Sequence, residues 1–198
     1  GFAWNGLYLG VHLGASIGDT DFRYPSGSQG SSSFAGGLQA GYNWRAGTIV
    51  YGLEIDATWR GNSDTAIIGP INGASQTLAT EQNWLMTVRP RLGLLLQPQV
   101  LAYVTGGLAF GNVDHTVTLA GPGLVAAGAS TSDTAAGWTL GGGIEWALDR
   151  NWSLKAEYLY VDLGSTTVVS PATASFAATR TTFDDASHLW RAGLNYKF

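Results

Sequence analysis

The sequence predicts an all-β protein, a closed eight-stranded antiparallel up-and-down β-barrel that crosses a membrane. Three observations lead to this prediction. Only 12% of the 198 residues are charged, whereas 45% are hydrophobic and 28 residues are glycine, a composition that covers a water-facing surface poorly. Apolar residues recur with a period of two in segments of roughly 11 residues. These segments are joined alternately by short turns and by long polar loops, which is the arrangement of a closed meander.

Each segment has a continuous apolar face, which justifies one strand for each segment in turn. The first four predicted strands are residues 5–17 with Leu7, Leu9 and Val11 on that face, 34–44 with Leu38, Tyr42 and Trp44, 49–59 with Ile49, Leu53 and Ile55, and 83–95 with Trp84, Met86 and Leu92. The other four are 101–111 with Val104 and Leu108, 135–146 with Trp138 and Ile144, 152–162 with Leu154 and Tyr158, and 188–198 with Trp190 and Leu194. Strands of this length, tilted by about 40°, cover the roughly 25 Å apolar band of a membrane barrel.

The connections alternate in length. Short turns are predicted at residues 45–48, 96–100 and 147–151, and long polar loops at 18–33, 60–82, 112–134 and 163–187. All short turns therefore lie at one end of the barrel, the short-turn end, and all long loops lie at the other, the long-loop end. The long-loop end carries nine acidic residues against three arginines. Such residues solvate a surface, hold divalent cations or meet a basic partner, and solvation is the simplest interpretation.

The charges inside the strands distinguish a membrane barrel from a soluble one. A soluble barrel places its apolar face inside, but here the strand charges, apart from Asp162 at the very end of strand 152–162, lie on the face opposite the large apolar residues. These charges are Glu54, Asp56, Arg89, Arg91, Glu145, Lys155, Glu157, Arg191 and Lys197. A lipid-facing apolar exterior around a polar lumen explains this inversion. Eight strands enclose just enough room for side chains, so the charges are predicted to pair into a plug. The alternative is a narrow porin-like channel for small solutes or ions.

Aromatic residues are predicted to form two girdles, one at each membrane interface, where Trp and Tyr are enriched. The girdle at the short-turn end comprises Trp44, Tyr51, Trp146, Trp152 and Tyr196. The girdle at the long-loop end comprises Trp59, Trp84, Phe110, Tyr160 and Trp190. The middle of the belt is instead composed of Leu, Val, Ala and Ile.

Several other functions are excluded or disfavoured. The chain has no cysteine, which excludes thiolate metal sites and cysteine nucleophiles, and no apolar run reaches the roughly 20 residues of a membrane helix. A net charge of −4 argues against nucleic-acid binding. Ser187, His188 and Asp185 could suggest a hydrolase triad, but neighbours on a strand point to opposite faces. No enzyme activity, metal site or cofactor is therefore predicted; His12 and His115 lack ligand spacing.

Four stretches resemble the OmpA-like, opacity-type family of outer-membrane surface proteins, often labelled porin-family barrels. They are Trp4-Asn5-Gly6-Leu7-Tyr8-Leu9-Gly10, Ala40-Gly41-Tyr42-Asn43-Trp44, Tyr103-Val104-Thr105-Gly106-Gly107-Leu108-Ala109 and Arg191-Ala192-Gly193-Leu194-Asn195-Tyr196-Lys197-Phe198. The resemblance covers the whole chain and implies a multi-pass protein of the Gram-negative outer membrane. The pattern of Arg191, Gly193, Tyr196 and Phe198 is similar to the signal by which the barrel-assembly machinery recognises its clients.

We therefore expect residues 1–198 to form a single outer-membrane barrel domain that supports membrane integrity and presents its loops for surface interaction. The expected partners are outer-membrane lipids, lipopolysaccharide and the assembly machinery. The glycines Gly36, Gly106 and Gly142 on the apolar face would let neighbouring barrels approach closely. A lateral homo-oligomer, or contact with another outer-membrane protein, is a further expectation.

Overall fold

The strands were located in a computed structural model. It describes the backbone of residues 1–23, 26–60, 63–71, 74–120, 127–170 and 179–198, and the side chains of 1–17, 33–60, 84–112, 135–164 and 186–198. The strands are β1 (Gly6–Arg23), β2 (Ser26–Ala46), β3 (Ile49–Arg60), β4 (Ser63–Ile71), β5 (Ala74–Gln97), β6 (Val100–Ala120), β7 (Ala127–Ala147), β8 (Trp152–Ser170) and β9 (Thr179–Lys197). Within these described ranges no helix is long and apolar enough to cross a membrane.

Eight of the strands form a closed antiparallel ring. β1 pairs with β2 and with β9, β3 pairs with β5, and the remaining neighbours pair in chain order. β4 lies outside the ring because it pairs with β5 alone among the described strands. The predicted eight-stranded up-and-down barrel with short turns at one end is confirmed, and closure leaves the membrane-spanning part without a sheet edge.

The alternation of exposure along each strand confirms that the apolar face points outward. On β3, Leu53 and Ile55 are 44% and 47% exposed, whereas Glu54 and Asp56 between them are 2% and 1% exposed. This inversion of the soluble-protein pattern follows from the period-two geometry of a strand with lipid on one side and the lumen on the other.

The strands extend into the segments predicted as long polar loops. β1 continues to Arg23 and β2 begins at Ser26, so most of residues 18–33 are strand, and β4 lies within the predicted loop 60–82. β5 to β9 extend in the same way. The ladder persists because antiparallel strands can keep their backbone hydrogen bonds when water covers a face. Polar composition therefore does not end a strand here. Residues 24–25, 61–62, 72–73, 121–126 and 171–178 of these predicted loops lie outside the described chain.

Beyond the ring the barrel wall splits into two four-stranded sheets. The β7–β8 pairing begins at Trp138 and Asp162, and the β2–β3 pairing begins at Ala35 and Arg60. Past these points, β4, β5, β6 and β7 form one extension, and β8, β9, β1 and β2 form the other. We call the separation between β7 and β8 the fork.

Candidate functional site in the barrel interior

The middle of the lumen is filled by a network of eight charged side chains. Each is at most 4% exposed. The members are Glu54, Asp56, Arg89, Arg91, Glu145, Lys155, Glu157 and Arg191. Four are acidic and four are basic, so the network is formally neutral. Buried charges persist only when they are paired and hydrogen-bonded in this way.

Arg89 is at the centre of the network. Its Nη2 lies 2.6 Å from Glu54 Oε1 and 2.9 Å from Asp56 Oδ2, and its Nη1 lies 3.3 Å from Glu157 Oε2. Lys155 Nζ donates to both oxygens of Glu54, at 2.9 and 3.0 Å. One guanidinium thus contacts three carboxylates, and Glu54 in turn joins two cations from separate strands.

A second arginine extends the network towards β9. Arg191 lies directly opposite Glu157 in the β8–β9 register and donates to it through Nε at 3.0 Å and also through Nη2. Its Nη1 donates to Asp56 Oδ1 at 2.8 Å across the lumen. Asp56 also accepts a hydrogen bond from Thr87. The cross-lumen contacts therefore tie β3 and β5 to β8 and β9.

Two tyrosines, absent from the predicted network, belong to it. Arg91 pairs with Glu145 at 2.6 Å, and its guanidinium carbon lies 4.1 Å from the ring centroid of Tyr103 and 5.7 Å from that of Tyr8. The Tyr8 hydroxyl donates to Glu54 at 2.7 Å, and that of Tyr103 donates to Glu157 at 2.9 Å. Both tyrosines occupy inward positions of the period-two pattern, and this placement could have identified them from the sequence as members of the network.

The short-turn end of the lumen is closed by an apolar layer that the sequence analysis did not predict. Trp4 is 1% exposed and donates through Nε1 to the carbonyl of Pro98 at 3.0 Å. It packs in a cluster with Val50, Leu101, Tyr103 and Ala147. The cluster lines the lumen where β3 and β6 begin and β7 ends, so the segment before β1 covers this mouth.

Lys197 departs from the prediction. Its side chain lies inside the barrel and is 3% exposed, but among the described residues it forms no ion pair and Nζ has no hydrogen-bond partner. The lysine is near the end of β9 and opposite Tyr8, which places it on the short-turn side of the charged layer. The prediction grouped Lys197 with the other charges by the face of the strand alone. Its position near the end of β9 sets it apart from the carboxylates of the network.

The long-loop end of the lumen also carries an apolar layer. Its members are Leu85, Ala109, Leu159, Val161, Leu163 and Leu189, each at most 6% exposed. The interior therefore consists of a charged layer between two apolar ones. Leu159 and Val161 alternate with Tyr158 and Tyr160 on β8, so this part of the strand is apolar on both faces. A run of apolar residues without alternation could therefore have predicted this layer from the sequence.

The histidines do not assemble a catalytic or metal site in the described part of the chain. His12 contacts Gln39 Oε1 at 3.2 Å and Thr58 Oγ1 at 2.9 Å inside the lumen. His188 Nδ1 lies 2.6 Å from the Tyr158 hydroxyl, whereas Ser187 accepts from Arg60 at 3.3 Å. The side chains of His115 and Asp185 lie outside the described residues. No group of three potential metal ligands occurs within those residues.

The predicted girdle residues lie on the outer surface, near the two ends of the ring. At the short-turn end Trp44 stacks on Tyr51 with centroids 5.8 Å apart, and Trp152 meets Tyr196 edge to face at 5.0 Å; Trp146 is 58% exposed. At the long-loop end Trp59 lies opposite Trp84, Tyr160 opposite Leu140, Phe110 opposite Met86 and Trp190 opposite Ala15. The pairs follow from cross-strand proximity.

The residues of the predicted assembly signal divide between the two faces of β9 and its end. Arg191 is buried in the charged layer, whereas Tyr196 and Phe198 are 37% and 68% exposed and contact each other edge to face at 5.1 Å. Gly193 faces the lumen beside Lys155, whose side chain would lie 3.1 Å from an added Cβ. A glycine there leaves room for the lysine.

Comparisons with known proteins agree with this architecture. A model of the outer membrane protein beta-barrel domain matches residues 3–198. The chain is 39% identical to the 31 kDa outer-membrane immunogenic protein of Brucella melitensis biotype 1, over all of this chain and 85% of that protein. It is 31% identical to the 22 kDa outer membrane protein of Rhizobium leguminosarum bv. viciae, over 82% of this chain and 66% of that protein.

Among solved structures, neisserial surface protein A has a similar fold, with a TM-score of 0.51 at 16% identity over 96% of this chain and 97% of that one. The resemblance inferred from the sequence motifs is confirmed by the family match. The chain therefore belongs to the family of outer membrane protein beta-barrel domains and resides in the Gram-negative outer membrane, as its sequence predicts.

Proposed function

We propose that the protein is a structural outer-membrane barrel with a plugged lumen, which strengthens the membrane and presents its long-loop end for surface interaction. The observation that carries the proposal is the three-layered interior. A neutral network of four acids and four bases lies between the Trp4 cluster at the short-turn end and the leucine-rich cluster at the long-loop end.

A conducting path would have to cross all three layers. Arg89 and Lys155 in the middle layer are 0% exposed, as are Leu101 and Leu159 in the apolar layers. A hydrated ion that enters an apolar layer loses water without gaining polar ligands, which is costly. An ion that enters the charged layer competes with pairs already at hydrogen-bond distance. These costs favour the plug over a narrow channel.

Planar-bilayer conductance tests the proposal directly. The purified protein is reconstituted, and its folded state is verified by heat-modifiable migration on gels. We expect no discrete openings at high salt from the wild-type chain or from Trp44→Ala, which alters only the outer surface. Steady unitary openings of folded wild-type protein would establish the channel alternative instead.

A catalytic role is not part of the proposal. Each ring nitrogen of His12 contacts a neutral amide or hydroxyl group rather than a carboxylate. His188 packs on the aromatic rings of Tyr158 and Tyr160 at 5.9 and 5.3 Å. A nucleophile must also be reached by its substrate. The Thr58 hydroxyl beside His12 is 0% exposed and donates to Asp56 at 3.3 Å, so it is not placed to attack one.

The proposed lipid partners are phospholipid and lipopolysaccharide, supported by the exposed apolar belt between two aromatic girdles. The proposed partner in biogenesis is the barrel-assembly machinery, supported by the exposed Tyr196 and Phe198 at the end of β9. Replacement of Phe198 by alanine is expected to lower the amount of folded barrel in the outer membrane while urea refolding of the purified chain stays unchanged. Equal loss in both assays would make Phe198 a residue of general stability instead.

Lateral contact with a second barrel is a further proposal. Two of the three glycines predicted for lateral contact, Gly106 and Gly142, lie with Ala102 on the outer wall among the exposed side chains of Val104 and Leu140. The third, Gly36, lies apart from them, opposite Leu13. Small residues allow close approach of a neighbouring wall in lipid. Because the chain has no cysteine, a Val104→Cys variant reports contact cleanly. Disulfide dimers in intact membranes are expected from Val104→Cys and not from Leu13→Cys, and monomer alone from both would contradict the proposal.

A further inference from the structure

The fork is a built feature of the barrel wall. The last β7–β8 pair joins Trp138 and Asp162, and β8 then has a register irregularity before it resumes pairing with β9 at Ser165. Gly164 in this interval adopts a φ of +77°, a conformation natural to glycine. Asp162 Oδ1 accepts a hydrogen bond from the Gly164 amide at 2.8 Å. The β7–β8 ladder thus ends at the point where β8 has this irregularity.

Two strand edges face the fork. Residues 127–136 of β7 pair with β6 on one side only, and residues 165–170 of β8 pair with β9 on one side only, within the backbone that the structure describes. The unpaired edge of a sheet presents backbone donors and acceptors that template another strand. The two edges run in opposite directions, so a segment added between them would pair antiparallel with one edge and parallel with the other.

The residues along these edges do not protect them against pairing. Residues 165–170 read Ser-Thr-Thr-Val-Val-Ser, and residues 127–136 contain Asp133 as their one charged residue. Lysine and proline, which commonly blunt natural edges, are absent from both stretches. Threonine and valine favour extended structure. The β8 edge therefore has the composition of a strand that accepts a partner, and the β7 edge carries no lysine or proline that would oppose one.

The charge of the surrounding surface restricts the partner. The segments at and beyond the long-loop end of the ring carry nine acidic residues, which are Asp19, Asp21, Asp64, Glu81, Asp114, Asp133, Asp162, Asp184 and Asp185. They carry three basic residues, Arg23, Arg60 and Arg180. The net charge of −6 attracts cationic partners and repels anionic ones.

We infer that the fork between β7 and β8 is a docking site for an extended, cationic segment of a partner protein, which binds by strand addition to the two edges. The backbone hydrogen bonds supply affinity and the acidic surroundings select positive charge. The inference rests on the proposed function only in requiring that the long-loop end face the outside of the cell. It is independent of whether the lumen conducts.

The test uses the whole protein in nanodiscs and a fluorescent synthetic peptide of alternating lysine and threonine. The matched probe is the same peptide with alternate backbone nitrogens methylated, which keeps its charge but removes strand donors. Fluorescence anisotropy is expected to show saturable binding of the first peptide and a loss of about tenfold or more for the methylated one. Equal binding of the two, or no binding of either, would overturn strand addition.

Single cysteines locate the bound peptide, since the chain has none of its own. A peptide that carries an activated thiol is expected to label Thr167→Cys on β8 much faster than Arg45→Cys at the short-turn end. Equal rates would refute the fork as the site. Copy-to-copy disulfides of Thr167→Cys without peptide would instead make a second barrel the occupant. Bilayer conductance is measured on the same samples, so failure here is distinguishable from failure of the plugged-barrel proposal.

Discussion

Glu54 and Arg89 lie directly opposite each other on β3 and β5, and their side chains form a 2.6 Å ion pair inside the barrel. Neither side chain is more than 3% exposed. Breaking a buried pair by removing one partner leaves an uncompensated charge and costs about 3–5 kcal/mol. Glu54→Ala and Arg89→Ala are each expected to lower the free energy of unfolding in lipid vesicles, measured by urea titration, by about that amount.

The double variant provides the control for that prediction. Removal of both charges leaves Lys155, which retains Glu157 at 3.8 Å, so the loss for Glu54→Ala/Arg89→Ala is expected to be smaller than the sum of the two single losses. Strict additivity would show that the two side chains are not energetically coupled.

Trp4 is expected to stabilise the closed mouth at the short-turn end. Truncation of a buried tryptophan removes its packing and leaves a cavity, so Trp4→Ala is expected to cost about 3 kcal/mol of unfolding free energy. Trp4→Phe keeps most of the packing but loses the 3.0 Å hydrogen bond to Pro98 and is expected to cost about 1 kcal/mol. Urea unfolding followed by tryptophan fluorescence, with circular dichroism as a second probe, measures both. Identical losses would contradict a packing role.

Inward glycines permit close approach of neighbouring strands, and Gly107 is the clearest test. A Cβ at Gly107 would lie 2.1 Å from the Val88 carbonyl oxygen, whereas a Cβ at the outward Gly36 would meet the flexible end of Leu13 at 3.1 Å. Gly107→Ala is expected to reduce the folded fraction on unboiled gels, and Gly36→Ala is expected to leave it near wild type. Equal tolerance of the two substitutions would show that the wall at Gly107 adapts easily.

Asp149, in the turn between β7 and β8, is expected to make the stability of the barrel depend slightly on pH. Asp149 Oδ1 accepts hydrogen bonds from the Asn151 and Trp152 amides, both at 2.7 Å, and these bonds lower the pKa of its carboxyl below the usual value of about 3.9. A depressed folded-state pKa stabilises the fold above the unfolded-state value and loses that effect as the pH falls.

The wild type is therefore expected to be more stable than Asp149→Ala near neutral pH, with the gap narrowing as the pH falls below about 4. Paired urea titrations of the two proteins across this range isolate Asp149 from the other carboxylates. A gap that is constant with pH would mean that the carboxylate charge has no part in the turn.

The membrane-spanning part of the fold could be predicted because two physical rules act on every strand residue. Residues that face lipid, such as Ile55, must be apolar, and residues that face the lumen, such as Asp56, are free to be polar. The sequence therefore shows at each position of a strand which side of the wall the residue faces. Strand extensions such as residues 18–23 were not predictable, because their sequence, Gly-Asp-Thr-Asp-Phe-Arg, lacks the apolar alternation that marks a strand. β4 was not predicted for the same reason, because its residues do not alternate between apolar and polar.

The interior was predictable in composition but only partly in arrangement. Period two placed Glu157 and Arg191 on the inner face, yet it did not reveal that they share a cross-strand position or that Arg191 also reaches Asp56. Contacts across the lumen depend on strand stagger, which one sequence does not encode visibly. Trp4 was missed because it precedes the first periodic segment.

The pairing of β1 with β9 has a consequence for the order of folding. Tyr8 lies opposite Lys197, so the seam joins positions near the two extremes of the chain, whereas most other ring contacts join strands adjacent in the chain. Closure of so long a loop carries the largest entropy cost of any pairing in the ring and can occur only once β9 is available. Until then the partly formed sheet is an open ribbon with polar groups on one face, and its seam is the step at which assistance from another protein would shorten the search most.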